Sequence, residues 1–295
     1  MLHACIDIGS NTTRLLVAEL IDGQLKEVLQ QRTFTRISEG RKRDDPIGRR
    51  KIGEVAEVVA TQVRVARELG AGEPRAVATA AIRQAPNGAD MIDAIRAASG
   101  VYVEVLDGDE EARLAFLGAT TTLGRVPAGE VAVVDVGGGS SELALGTIAA
   151  GVHWSASFRV GSGYLADAYL HSDPPSVAEL HAVREHVTGV FEGLEVGPPA
   201  LGVAVGGSAT SLRRLVGAVL EHETLERGLR ILLGSPAAEV AERFDLAPER
   251  VELLPAGMLV LEELSDLIGL PLSIGNGGLR EGVILAGLAE SQAAV

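Results

Sequence analysis

One cysteine stands among 295 residues, so no intrachain disulfide can form, and Cys5, inside an apolar opening stretch, is expected to serve packing alone. No apolar run approaches the roughly 18 residues that a membrane helix needs. The N-terminus also lacks a basic segment ahead of a long apolar core. The expectation is a soluble, cytoplasmic protein with no membrane partner. The six histidines are scattered, which argues against a histidine-rich metal site. Zinc-ligand spacing, the HExxH pattern and the Walker phosphate loop are all missing. Basic residues are outnumbered, 26 against 40 acids, for a net charge of −14. That excess weighs against general binding to nucleic acid or anionic membranes.

What is present is ample core: 46% of residues are apolar, and the length suits one large domain or two ordinary ones. A local site can still be positive on an acidic protein. The stretch "GRKRDDPIGRRK" (40–51) carries Arg41, Lys42, Arg43, Arg49, Arg50 and Lys51 and reads first as a solvated loop.

The chain is punctuated as two similar halves. Strand patterns at "HACIDIG", "RLLVAELI" and "QLKEVLQQRTFTRI" open the first, with "DG" at 22–23 as a hairpin signal. A helix follows near 52–69, where Val55, Val58, Val59, Val63, Ala66 and Leu69 recur at helical spacing. Next come a strand at 75–80, a helix at about 89–98, the strand "YVEVL" and a helix at about 109–123. After Pro127 and Gly129 the pattern restarts with "EVAVVDVG", "SELALGTI" and "GVHWSASFRV". A helix-like stretch from about 162, a helix at 176–191, the strand "LGVAVGG" and a helix at 208–220 complete the second half. Asp7 and Asp135 hold matching places 128 positions apart. Two such βββ-α-β-α units most simply face each other across a cleft with both Asp-Gly turns at its floor.

The turns carry the chemistry. Glycine lets a ligand approach backbone N–H groups closely. Gly137, Gly138 and Gly139 with Ser140 and Ser141 can wrap donors around a phosphate, and Gly9, Ser10, Asn11, Thr12 and Thr13 can do the same from the other half. Bare aspartates would repel a phosphate, so Asp7, Asp135 and Glu142 read as hard oxygen ligands for Mg²⁺. A third glycine patch, "VAVGGSATSL" (203–212), runs from strand into helix, a geometry suited to an anion or to Ser208 as a simple N-cap. Glu110 and Glu111 in "DGDEEARLAF" stand at a helix start. They either complement the helix dipole or include a general base for water.

Together "IDIGSNTTRLL", "ATAAIR", "GDEEARL", "VVDVGGGSSEL", "VGGSAT" and "LLPAGMLVLEEL…GLREGVI" resemble the exopolyphosphatase / guanosine pentaphosphate phosphohydrolase family, of the sugar kinase–Hsp70–actin superfamily, in order from residue 4 to about 287. The resemblance implies an α/β fold of duplicated actin-like (ribonuclease H-like) domains, with mixed five-stranded sheets facing across a cleft. It places the first domain at 1–125, with a C-terminal helix at about 279–295 packing back on it, and the second at 126–278. It implies Glu111 as the catalytic glutamate, with Glu110 its neighbour. Gly9, Ser10, Asn11, Thr12 and Arg14 match a first phosphate loop, Gly137, Gly138, Gly139, Ser140 and Ser141 a second, and Gly207, Ser208 and Thr210 a third. Arg83 is expected to face substrate phosphates, and Asp7, Asp135 and Glu142 to hold Mg²⁺.

The implied activity is Mg²⁺-dependent release of terminal orthophosphate from inorganic polyphosphate, with guanosine pentaphosphate as the alternative substrate and a homodimer as the expected assembly. Longer family members carry further C-terminal helical domains. This chain resembles a short two-domain form, for which short polyphosphate is the expected substrate. The basic 40–51 stretch then becomes a candidate track for an anionic chain. A kinase of the same superfamily, an actin-like filament protein, an Hsp70-like chaperone, or a sensor of guanosine tetra- or pentaphosphate are the competing readings from other classes.

Overall fold

A computed structural model describes residues 1–40, 44–124 and 126–293. Arg41, Lys42 and Arg43 of the basic stretch, Arg125 at the expected domain limit, and residues 294–295 of the expected C-terminal helix lie outside the described residues. The chain divides into two compact units, Met1–Thr122 with Gly277–Val295, and Leu123–Asn276.

The first unit begins with β1 (Leu2–Ile8), β2 (Thr12–Ile21) and β3 (Gln24–Phe34), an antiparallel meander. Asp22 and Gly23 both take left-handed backbone, φ 51° and 77°, and close Ile21 against Gln24. That pair of conformations matches the right-handed twist of the flanking strands, which is why an Asp-Gly pair sits there. Then come α1 (Arg49–Glu68), β4 (Arg75–Ala78), α2 (Ala80–Arg83), α3 (Gly88–Ser99), β5 (Val103–Val105) and α4 (Gly108–Thr121). The sheet order is β3-β2-β1-β4-β5, with β4 parallel to both β1 and β5. Side chains alternate across its two faces. Ile6, Ile8, Leu15 and Val17 pack with Val55, Val59 and Val63 of α1 and with Met91 and Ile95 of α3. Cys5, Leu16 and Val77 take the other face with Leu106 and Leu114.

The second unit repeats the plan with β6 (Val131–Val136), β7 (Ser141–Thr147), β8 (Gly151–Phe158), α5 (Ser162–Tyr169), α6 (Val177–Phe191), β9 (Leu201–Val205) and α7 (Gly206–Val216). It continues through β10 (Val219–Leu220), α8 (His222–Leu233), α9 (Ala237–Phe244), α10 (Pro248–Val251), α11 (Leu254–Ile268) and β11 (Leu272–Ile274). Its sheet has six strands, in the order β10-β11-β9-β6-β7-β8, rather than the expected five. The sixth is β10, a two-residue antiparallel strand laid on the edge of β11. Without it the order and directions match the first unit. Helix α11 contributes much of this unit's apolar cluster, with Leu254, Met258, Val260, Leu261 and Leu264 all 0% exposed.

Other boundaries move for local reasons. The strand expected at 75–80 stops at Ala78, because the Thr79 carbonyl accepts the N–H groups of Ile82 and Arg83 and starts a helical turn. The third strand ends at Phe34, since Arg36 turns into left-handed backbone.

The last helix, α12 (Leu279–Ala293), belongs to the first unit and lies on α4 at backbone contact. Leu279, Val283 and Ile284 complete the cluster around Cys5. A Cβ on Gly118 would run into the Gly278 carbonyl, and one on Gly282 into the Leu114 carbonyl. Gly282→Ala should therefore lower unfolding free energy by about 1–3 kcal/mol through overpacking. A urea denaturation midpoint reads this, and an unchanged midpoint would contradict so close an approach.

Candidate active site

Both Asp-Gly turns are built the same way. The Gly9 N–H donates to the Thr12 carbonyl at 3.0 Å, and the Gly137 N–H to the Ser140 carbonyl at 3.0 Å. In each turn a following segment then caps the carbonyls. Arg36 N–H donates to Asn11 O at 2.9 Å and Ser38 N–H to Ser10 O at 3.2 Å. In the second unit Ser162 N–H donates to Gly137 O at 2.9 Å and Tyr164 N–H to Gly138 O at 3.0 Å. The amide N–H groups of Ser10, Asn11, Gly138 and Gly139 donate to no carbonyl among the described residues. A turn whose acceptors are consumed and whose donors are left over is an anion cradle.

The side chains on these turns divide by what they already hold. Thr12 Oγ1 accepts from Arg14 Nε at 3.2 Å, so Arg14 is braced at the turn. Ser141 is fully buried and its hydroxyl donates to the Val160 carbonyl at 2.6 Å, which anchors the strand. Ser10 and Ser140 are buried within their turns.

Helix α4 separates the two glutamates that charge pattern alone leaves equivalent. Its N-cap, Asp107, accepts the Glu110 N–H at 2.8 Å. Glu110 points outward and holds Arg113 through both carboxylate oxygens at 2.7 Å. Glu111 is buried, 7% exposed, and accepts from Arg83 Nη1 at 3.0 Å. The same Nη1 donates to the Leu106 carbonyl at 2.6 Å. Both Nη1 protons are thus used, and Nε and Nη2 remain to meet a phosphate. The structure therefore brings Arg83 and Glu111 together within the first unit.

The three acids expected to hold a metal differ in surroundings. Asp7 Oδ1 is buried and has no hydrogen-bond partner among the described residues. Burial pushes the Asp7 carboxyl up from its ordinary value, with Arg14 and Arg280 opposing the shift. Asp135 and Glu142 lie directly opposite on β6 and β7. Ser157 Oγ, from the register position across on β8, donates to Glu142 Oε1 at 2.8 Å. Asp135 Oδ1 packs over Gly206, whose φ of 85° and missing Cβ leave that oxygen its space. Among the described residues no group of three or more His, Cys, Asp or Glu side chains could hold a metal ion. Mg²⁺, however, commonly rests on one or two carboxylates plus water and phosphate oxygens. The Asp135–Glu142 pair of the second unit fits that donor set, and the first unit offers one carboxylate of the same kind in Asp7.

At the start of α7, Gly207 and Ser208 are buried, and Ser208 Oγ lies against Gly257 of α11 with no hydrogen-bond partner among the described residues. Thr210 Oγ1 donates back to the Gly206 carbonyl at 2.8 Å. Sequence reasoning missed Gly206 and Ser157. Gly206 was signalled by the glycine doublet closing β9, and Ser157 by the alternation of β8 once its register on β7 is known.

A profile of the Ppx/GppA phosphatase family matches residues 16–291. Exopolyphosphatase 1 of Mycobacterium leprae is 30% identical over 95% of this chain and 87% of its own length. Exopolyphosphatase 2 of Mycobacterium tuberculosis is 30% identical over 98% of each chain. The Aquifex aeolicus family member superposes with a TM-score of 0.81 at 27% identity, over 99% of this chain and 98% of that one. A Cytophaga hutchinsonii exopolyphosphatase shares the fold with a TM-score of 0.87 at 20% identity, over 98% of each chain. Both sheets, with their duplicated actin-like order, agree with these relatives.

The state of Asp7 has a measurable consequence. Because its folded pKa lies above the unfolded value, its contribution to stability falls as pH rises through the interval between them. Above that interval the penalty is complete. Asp7→Asn should therefore melt higher than wild type at pH 8, with the gain vanishing as pH falls below about 4. Thermal melts across pH check this, and an Asn variant less stable at pH 8 would contradict it.

Proposed function

The chain belongs to the Ppx/GppA phosphatase family, and from that premise we propose that it hydrolyses the terminal phosphoanhydride bond of short inorganic polyphosphate. The observation that carries the proposal is the pairing of half-buried Arg83, at the end of α2, with buried Glu111 in the first turn of α4. It combines a fixed carboxylate for a water proton with a guanidinium that keeps donors for phosphate oxygens.

In this reading Glu111 orients a water and takes its proton as the water oxygen bonds to the terminal phosphorus. The bridging P–O bond breaks, and the electron pair leaves with the shortened chain. Arg83 Nε and Nη2, with the Ser10 and Asn11 amides, spread the charge on the transferred phosphoryl group. The Gly138 and Gly139 amides provide a second cradle for phosphate oxygens. Within the second unit Asp135 and Glu142, positioned by Ser157 and Gly206, would hold Mg²⁺, which would supply charge neutralisation for the leaving phosphate, and Asp7 is the first unit's carboxylate suited to the same cation. Hydrolysis of guanosine pentaphosphate breaks the same kind of bond, so it is an arm of the test.

Glu111→Gln should keep the fold, since its amide oxygen still accepts from Arg83, yet lower kcat by about 10²–10⁴. Glu110→Gln should stay near wild type, because its ion pair is exposed and weak. Phosphate release is measured side by side on short polyphosphate, long polyphosphate and guanosine pentaphosphate. The highest kcat/KM on short polyphosphate is expected. Retained turnover in Glu111→Gln removes that residue from the mechanism, and dominance of guanosine pentaphosphate replaces the substrate.

A further inference from the structure

Near the start of the strand that follows each phosphate turn stands a fully buried hydroxyl. Thr13 opens the row Leu15 and Val17 on β2, and Ser141 opens the row Leu143 and Leu145 on β7, at matching places 128 positions apart. Side chains two apart share a face. Valine at either position would extend the apolar row and suit the strand. Hydroxyls buried there cost stability unless a hydrogen bond offsets the lost hydration.

Both hydroxyls find that bond at the same place. Thr13 lies opposite Thr33 on β3 and Ser141 opposite Phe158 on β8, and each bonds two residues further along. Thr13 Oγ1 and Thr35 Oγ1 share a hydrogen bond at 3.1 Å, and Ser141 Oγ donates to the Val160 carbonyl at 2.6 Å. In the first unit α1 adds two ties. Lys51 Nζ donates to the Thr35 carbonyl at 2.7 Å, and Gln62 Nε2 to the Thr13 carbonyl at 3.3 Å.

The residues held in this way lead into the segments that cap the turns. Thr35 precedes Arg36, and Val160 precedes Gly161, where a Cβ would stand 2.6 Å from the Gly138 carbonyl carbon. A peptide unit is planar, so fixing its carbonyl also fixes the N–H of the next residue. The Ser38 bond to Ser10 O thereby aims the Asn11 N–H. The Ser162 and Tyr164 bonds to Gly137 O and Gly138 O aim the N–H groups of Gly138 and Gly139.

We infer that Thr13 and Ser141 are positioning residues, whose hydroxyls hold the capping segments and through them aim the turn amides at phosphate. The inference rests on the hydrolytic reading for the identity of the anion. Ser141 then acts from behind the loop rather than on the phosphate, because a hydroxyl has one proton and Val160 receives it.

Thr13→Val keeps the side chain's size and removes the hydroxyl, whereas Thr13→Ser keeps the hydroxyl and removes a methyl group. Packing and positioning therefore predict opposite orders for the two variants. Both are made in the full chain, with Ser141→Ala beside them. Amide hydrogen exchange is followed by NMR, and tripolyphosphate binding by calorimetry in a Glu111→Gln background. Thr13→Val should speed exchange at Arg36 and Ser38, and Ser141→Ala at Ser162 and Tyr164, each by about tenfold, the worth of one hydrogen bond. Tripolyphosphate affinity should fall by about tenfold in both, with Thr13→Ser within about threefold of wild type. Thr35→Val removes the same bond from its other end and should reproduce Thr13→Val, so the test survives the loss of one variant to misfolding. Unchanged tripolyphosphate affinity in Thr13→Val and Ser141→Ala, or a larger loss in Thr13→Ser than in Thr13→Val, overturns the inference. Wild-type protein is assayed in parallel for phosphate release. If it turns over polyphosphate while the variants bind as wild type does, the positioning role alone falls. If it releases no phosphate but tripolyphosphate binding still depends on the two hydroxyls, the positioning role stands and the hydrolytic reading falls.

Discussion

The hydrogen bond from the Gly9 N–H to the Thr12 carbonyl, repeated from Gly137 to Ser140, fixes the shape of each hairpin turn and with it the direction of its amides. Once the carbonyls of those turns are taken by the segments after β3 and β8, donors are what the turns have left to offer. The parallel strand beside each turn then delivers a helix start. Beside β1, strand β4 leads to Arg83, and beside β6, strand β9 leads to Gly206. The duplication therefore copies a way of presenting N–H groups, and the chemistry is added by the side chains around it.

Those side chains have diverged in charge. Arg14 and Glu142 hold equivalent register positions, opposite Asp7 and Asp135 respectively. The first turn thus pairs an acid with a base, and the second pairs two acids. An anion is better matched by the first arrangement and a cation by the second. Such groups are expensive to bury. Asp7 Oδ1, Asn11 Nδ2, Ser208 Oγ and Arg280 Nη1 are all buried without a hydrogen-bond partner among the described residues. Each costs stability in proportion to its lost hydration. The apolar clusters on both faces of the first sheet and around α11 in the second unit offset this cost.

Much of this was legible in the sequence because it depends on local chemistry. The Asp-Gly hairpin, the helical spacing of Val55, Val59 and Val63, and the two Asp-Gly turns 128 positions apart each follow from residue type and spacing. Strand β10 was not legible, since two residues carry no periodicity and it forms only because β11 offers an edge. The stop of β4 at Ala78 was hidden because an alanine-rich stretch carries no punctuating glycine or proline. The local charge pattern is the same for Glu110 and Glu111, so only the family resemblance singled out Glu111 in the sequence, and the burial of Glu111 against the outward ion pair of Glu110 needed the fold. The Ser157–Glu142 bond depends on the register of β8 on β7, which includes an irregularity between Leu145 and Gly146 that no local pattern announces.

The central claim is that the two turns bind phosphate through backbone amides. Amide NMR of the Glu111→Gln protein titrated with tripolyphosphate addresses it most directly. The account predicts the largest, saturable shifts at Ser10, Asn11, Gly138 and Gly139. Saturable binding that leaves those four amides unmoved would contradict it.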